Sequence, residues 1–325
     1  MRTTPMFIGL SVAAALVLAG CGTTEEPGGG QAATAGGDPI TVVDSRGKTV
    51  KLDGPAKRVA ATEWNGAEFL VSLGVMPTAV SDIKGYGQWT SAAPLDGTPK
   101  DIGTRGEPSI DTLGSLDLDL VIVTDSLVEG ALQQVESRIP VIVIKGGDAK
   151  DAIASMFTSL DMIAKATGTE DKAAQLKSGF DAKIAQGRAE VEKLGAAGEQ
   201  VAFSDAYVDS GSVSIRPFAK GSLVSDVLGR IGLQNAWPMA GDPVYGLAQA
   251  DVEGLTKLPD VRFWYMANDA FGDPYTKELA GNAIWKNLPF VKSGKVHRLP
   301  DSLWPFGGPK SMAQYVDAAI DALKQ

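Results

Sequence analysis

Few side chains in this 325-residue sequence can do chemistry, and their types narrow what that chemistry is. There is one histidine, His297, and one cysteine, Cys21. A metal site built from several histidines is therefore impossible, and a histidine-based triad would have to use His297, in a short strand-like run beside Arg298. No G-x-S-x-G elbow, phosphate loop or H-E-x-x-H stretch occurs. Carboxylates are abundant but scattered. Asp117 and Asp119 in "SLDLDLV" read as helix-end and strand-start residues, not as an acid/base pair. The conspicuous group is Arg105 in "GTRGEPSID", a permanently charged fork of five N–H donors set in a glycine- and proline-bearing turn. Taken by itself, Arg105 reads as a turn residue paired with Glu107. Its alternative is a ligand contact. The side-chain inventory predicts no enzyme and points to a protein that captures a ligand.

The elements that must position Arg105 follow an alternating pattern. Strands are expected at 58–62, 78–81, 120–124 and 141–145. "LVIVT" and "VIVIK" are continuous apolar runs, as in strands covered on both faces. Helices are expected between them at 67–73, 110–116 and 130–137, with Ser109 capping the second of these. Two long helices follow at 150–166 and 170–194, separated by Gly168 in the manner of a C-cap. Strands return at 200–204, 213–216, 262–266 and 296–299. Helices near 223–231, 251–255 and 309–323 alternate with them. The last carries Met312, Tyr315, Val316, Ala319, Ile320 and Leu323 as one apolar stripe, which is core. Alternation of this kind implies parallel βαβ units, and the length favours two lobes.

The ends read differently. "MRTTPMFIGLSVAAALVLAGC" has a short basic start and an apolar run at 6–19, the length of a secretory core and short for a membrane span. Its end, Leu18-Ala19-Gly20-Cys21, resembles a bacterial lipoprotein lipobox, which implies cleavage before Cys21 and lipidation of its sulfur. The expected organisation is a signal peptide at 1–20, a flexible tether at 21–39 with no large apolar residue, and a fold from residue 40. The protein is then exported and anchored to the outer face of the cell membrane. The formal charge of −9 argues against nucleic acid and anionic surfaces as partners.

Several segments together resemble the iron-siderophore and vitamin B12 class of periplasmic binding proteins. They are "RVAATEWNGAEFLVSLGVMPTAVSD" (58–82), "DIGTRGEPSIDTLGSLDLDLVIVTDS" (101–126), "GSLVSDVLGRIGLQNAW" (221–237), "GLAQADVEGLTKL" (246–258) and "WKNLPFVKSGKVHRLPDSLWPFGGPKSMAQYVDAAI" (285–320). The resemblance implies an α/β fold of two Rossmann-like lobes, 40–147 and 169–325, joined by one long bridging helix at 148–168, with the ligand cleft between them. It implies modest closure, no catalysis and delivery of the ligand to the permease subunits of an ABC importer.

Within that class the chain looks most like ferric-hydroxamate-binding members. There the arginine of the "G-R-x-E-P" turn meets the oxygens around iron, which gives Arg105 that role. The same likeness places Trp304 and Phe306 of "LWPFGG" and Tyr245 against the ligand. It offers no counterpart in "TDSLVEG" for a further family aromatic. Arg216 in "SVSIRPF" is a second cleft arginine by expectation. Trp64, after the first strand, and Trp89 with Tyr86, in the "GYGQWTSAAP" loop, are further lining candidates. Trp237 and Trp285 read as packing residues. Glu107 and Asp226 are expected to dock on the importer. The expected ligand is a ferric siderophore, hydroxamate type preferred, whose iron the siderophore itself holds. No cofactor or protein-held metal is expected, and the protein is expected to be a monomer. The alternatives are haem or a corrinoid, or a citrate or carboxylate siderophore should both arginines face the cleft.

Overall fold

The computed structural model describes residues 38–325. The stretch expected to be a signal peptide, most of the expected tether and Cys21, the expected lipidation site, lie outside the described residues.

The first lobe opens with an antiparallel pair, β1 (Ile40–Val43) and β2 (Thr49–Leu52), that the sequence reading did not anticipate. Then come β3 (Val59–Ala61), α1 (Trp64–Ser72), β4 (Ala79–Val80), α2 (Ile83–Trp89) and β5 (Lys100–Asp101). A tight hairpin of β6 (Gly103–Thr104) and β7 (Glu107–Pro108) carries Arg105 at its tip. The lobe continues with α3 (Ile110–Ser115), β8 (Leu120–Thr124), α4 (Glu129–Glu136) and β9 (Val141–Ile144). Its sheet is wholly parallel in the order β5-β4-β3-β8-β9. Every residue of β8 and β9 is buried, as their unbroken apolar runs require. The chain goes one way from β3 to β4 and β5, then crosses to the other side with β8. Such a reversal leaves a crevice at the carboxyl ends of β3 and β8.

Next are α5 (Ala152–Thr167) and α6 (Glu170–Lys193). Asp151 caps α5 by accepting from the Ala154 N–H at 3.1 Å, and Gly168 closes it in the left-handed region. The α5 helix touches β1 and α1 of the first lobe on one side and α6 and α7 on the other. The second lobe comprises β10 (Gln200–Asp209), β11 (Ser212–Pro217), α7 (Leu223–Arg230), β12 (Gln234–Asn235), β13 (Arg262–Tyr265), α8 (Ala283–Asn287), α9 (Pro289–Lys292), β14 (Val296–Arg298) and α10 (Pro309–Leu323). Its sheet order is β11-β10-β13-β14, parallel except for β11.

Three local expectations are corrected. The "GYGQWTSAAP" stretch is not a loop throughout: α2 runs to Trp89, started by Asp82, whose carboxylate accepts from the Gly85 N–H at 3.0 Å. The helix expected near 251–255 is a single 3-10 turn at Gly254–Lys257, where Asp251 accepts from the Gly254 N–H at 2.8 Å. The strand expected to end at Ser204 runs on to Asp209, because antiparallel pairing with β11 continues to Asp209 opposite Ser212.

Candidate functional site

The carboxyl ends of both sheets open on one cavity of about 400 Å³. From the first lobe, Glu63, Trp64 and Asn65 follow β3, Thr124 ends β8 and Gly146 follows β9. From the second, Asp205 lies on β10, Arg216 on β11, Met266 after β13, and Trp304 and Phe306 after β14. Both lobes contribute side chains, so the cavity exists only between them.

Arg105 enters it from the hairpin tip. Its guanidinium carbon stands 4.1 Å from the Trp64 ring centroid and 5.1 Å from that of Trp304. The two indoles meet edge to face at 4.7 Å. Trp64 is fixed by an N–H donated to the Ser81 carbonyl at 3.2 Å. An arginine stacked on two rings gives up little further freedom when it binds oxygens. Its carboxylate partner is Glu63, not Glu107: Nε donates to Glu63 Oε2 at 2.7 Å, and Nη2 stands 2.7 Å from the same oxygen as an ion pair. Glu107 is exposed on β7.

Arg216 faces the same cavity from the second lobe and makes the parallel arrangement with Asp205. Its Nε donates to Oδ1 at 2.9 Å, and its Nη2 donates to Oδ2. Burial works against the Arg216 charge, but Asp205 outweighs it and leaves the guanidinium above its ordinary range. Burial also pushes the Asp205 carboxyl above its usual value, against the opposing pull of Arg216. Arg216 lies 5.6 Å from the Phe306 ring centroid.

Tyr245 reaches across from the second lobe to the end of β9. A Cβ on Gly146 would lie 2.4 Å from the Tyr245 hydroxyl, so glycine there lets the tyrosine seat. Burial, then Glu63, raises its phenol above the ordinary value, which keeps it a hydrogen-bond donor. Its ring meets Phe306 edge to face at 5.3 Å. Trp89 lines the mouth, stacked at 5.8 Å on Phe271, a 66 % exposed side chain of the second lobe. Two second-lobe groups, Asn268 Nδ2 and Ser302 Oγ, each donate to the Gln88 carbonyl at 2.8 Å and hold the end of α2 there.

The structure thus gathers Arg105, Arg216, Trp64, Trp89, Tyr245, Trp304 and Phe306 around one cavity. Tyr86 is corrected: it is fully buried, its hydroxyl donates to the Ala93 carbonyl at 2.6 Å, and it does not line the cavity. Trp89, three residues on at the end of α2, is only partly buried and does line the cavity. Trp237 and Trp285 are buried away from the cavity, Trp237 with its N–H on the Phe203 carbonyl at 2.8 Å. Asp226 is half-buried on α7, where burial pushes its carboxyl up and the Ala152 N–H at the start of α5 pulls it down. The carboxylates Glu63 and Asp205 and the aromatic Phe271 escaped the sequence reading. A glutamate directly before the tryptophan that ends the first strand loop was the available signal for Glu63. Among the described residues, no group of three or more His, Cys, Asp or Glu side chains is placed to hold a metal ion.

A family model described as periplasmic binding protein matches residues 59–303. The chain is 27% identical over 317 residues to the Fe(3+)-citrate-binding protein YfmC of Bacillus subtilis, covering 96% of this chain and 93% of that one. It is 24% identical over 267 residues to the iron(3+)-hydroxamate-binding protein FhuD of Escherichia coli, covering 82% and 86%. Among solved structures, FhuD of Vibrio cholerae, determined with bound Fe3+–Desferal, superposes with a TM-score of 0.72 at 22% identity, covering 82% of this chain and 97% of that one.

Proposed function

The chain belongs to the periplasmic binding protein family, and from that premise we propose that it captures a ferric siderophore, hydroxamate type preferred, and delivers it to an ABC importer. The observation that carries this reading is Arg105, stacked on Trp64 and Trp304 where the carboxyl ends of the two sheets meet. Glu63 takes the Nε–H, and the remaining N–H donors serve ligand oxygens around iron. The Tyr245 hydroxyl adds a donor, and Trp89, Trp304 and Phe306 supply flat apolar surface for the ligand's organic body. The siderophore holds the iron, and the protein holds the siderophore. The names of the hydroxamate- and citrate-binding relatives support a ferric complex as cargo.

The α5 helix is the bridge between lobes 40–147 and 169–325 and limits closure to a small angle. Glu107 and Asp226 meet basic groups of the permease. The protein works as a monomer held at the membrane by lipid on Cys21. Tryptophan fluorescence during titration tests the cargo. Saturable quenching by a ferric siderophore, with no response to haem or a corrinoid, is expected. Binding of haem or a corrinoid alone would overturn it.

A further inference from the structure

Both arginines that face the cleft arrive already neutralised. Arg105 pairs with one oxygen of Glu63, its Nε donating, and Arg216 forks onto both oxygens of Asp205. Neither carboxylate is a surface counter-ion: their side chains are 15% and 12% exposed, less than the arginines they serve at 34% and 37%. These four are the only charged side chains lining the cavity among the described residues, so its formal charge is zero. An adjoining hollow shares Asp205 and Arg216 and adds Asp273, Lys277 and Glu278, which makes it net negative by one. A ligand meeting this surface finds N–H donors left over on each guanidinium but no excess positive charge.

That distinction separates ligand classes. A neutral ferric complex, or one bearing an ammonium, needs donors to its oxygens and nothing more. A polyanion such as a ferric tris-catecholate must also approach two fixed carboxylates in a partly desolvated cleft, where like charges repel strongly. We propose that Glu63 and Asp205 determine ligand specificity: by neutralising the cleft arginines they admit ferric complexes of zero or positive net charge and reject polyanionic ones. This rests on the siderophore-capture reading and selects within it.

The test titrates the purified exported chain, wild type and the isosteric variants Glu63→Gln and Asp205→Asn, with three probes. These are ferric Desferal, ferric dicitrate and a ferric tris-catecholate trianion, at low and at physiological ionic strength. The expected wild-type order is Desferal complex far tighter than either anion. Each variant should lower the affinity ratio of Desferal complex to trianion about tenfold or more, whatever the change in absolute affinity, with the effect shrinking as salt rises. Circular dichroism checks that each variant folds. If Asp205→Asn does not, the more exposed Glu63→Gln carries the test, and its ratio alone decides. A wild type that binds the trianion as tightly as ferric Desferal, or a ratio unchanged in Glu63→Gln, overturns the proposal and leaves siderophore capture standing. A wild type that binds none of the three complexes removes the capture reading, and this proposal with it.

Discussion

Arg105 is organised before a ligand arrives. Two indole faces and one carboxylate fix its guanidinium, so its remaining donors point with little entropy left to lose. Replacing Arg105 with alanine should weaken a ferric hydroxamate by about 1.5–3 kcal/mol, the range for hydrogen bonds to a charged group. The measurement is the ratio of dissociation constants by fluorescence titration. An effect within experimental error would reduce Arg105 to a turn residue. Arg105 stood out in the sequence as a long cation in a tight turn, but by itself it read as paired with Glu107, and only the family resemblance aimed it at a ligand. Its actual partner did not stand out. Glu63 lies 42 positions earlier, and the pair forms only because β3 and the hairpin after β5 end on the same rim of the sheet. Local spacing favoured Glu107, whose side chain is exposed to solvent on β7.

The start of α10 shows an element placed by a residue far from it. Glu68, fully buried on α1, accepts from the Gly308 N–H at 2.8 Å, the Ser311 N–H at 3.2 Å and the Ser311 hydroxyl at 2.8 Å. It satisfies two of the N–H groups at the start of α10 and sits at the positive end of the helix dipole. This also explains the glycines of "LWPFGG", which the sequence suggested were simply loop. A Cβ on Gly307 would lie 2.1 Å from Glu68 Oε2 and 2.7 Å from the Ser311 Cβ. Gly307→Ala should therefore cost about 1–3 kcal/mol of stability, read from denaturant unfolding. Burial pushes the Glu68 carboxyl above its usual range despite those hydrogen bonds and nearby Lys310. A carboxyl raised in the folded state binds its proton earlier than in the unfolded chain, where it titrates near ~4.3. Its contribution to stability is thus fully present below that unfolded value and is lost as pH rises through the folded one. Relative to Glu68→Gln, the wild type should gain stability as pH falls from its raised folded-state value toward the unfolded one. Equal pH slopes for the two proteins would show that Glu68 does not titrate there.

At the scale of the molecule, the alternating pattern foretold two α/β lobes, because fully buried parallel strands leave continuous apolar runs such as "LVIVT". The elements it missed lack such a signal. Helix α2 hides behind two glycines, and the β1–β2 pair is too short to show a period. The α5 helix touches both lobes along its length, so ligand binding should change the radius of gyration by only about 1 Å in solution scattering, as for small hinge motions. A contraction of several ångströms would mean that α5 bends. Reversing Glu107 and Asp226 together should abolish importer-dependent uptake while ligand affinity stays unchanged. Normal uptake would remove both from the docking role. Anomalous diffraction at the iron edge from crystals grown with ferric Desferal would show whether a siderophore-held iron sits in the cleft at Arg105. A single iron peak is expected between the lobes, with ligand oxygens within hydrogen-bond reach of the Arg105 guanidinium. A peak outside the cleft, or iron bound directly by protein carboxylates, would contradict it.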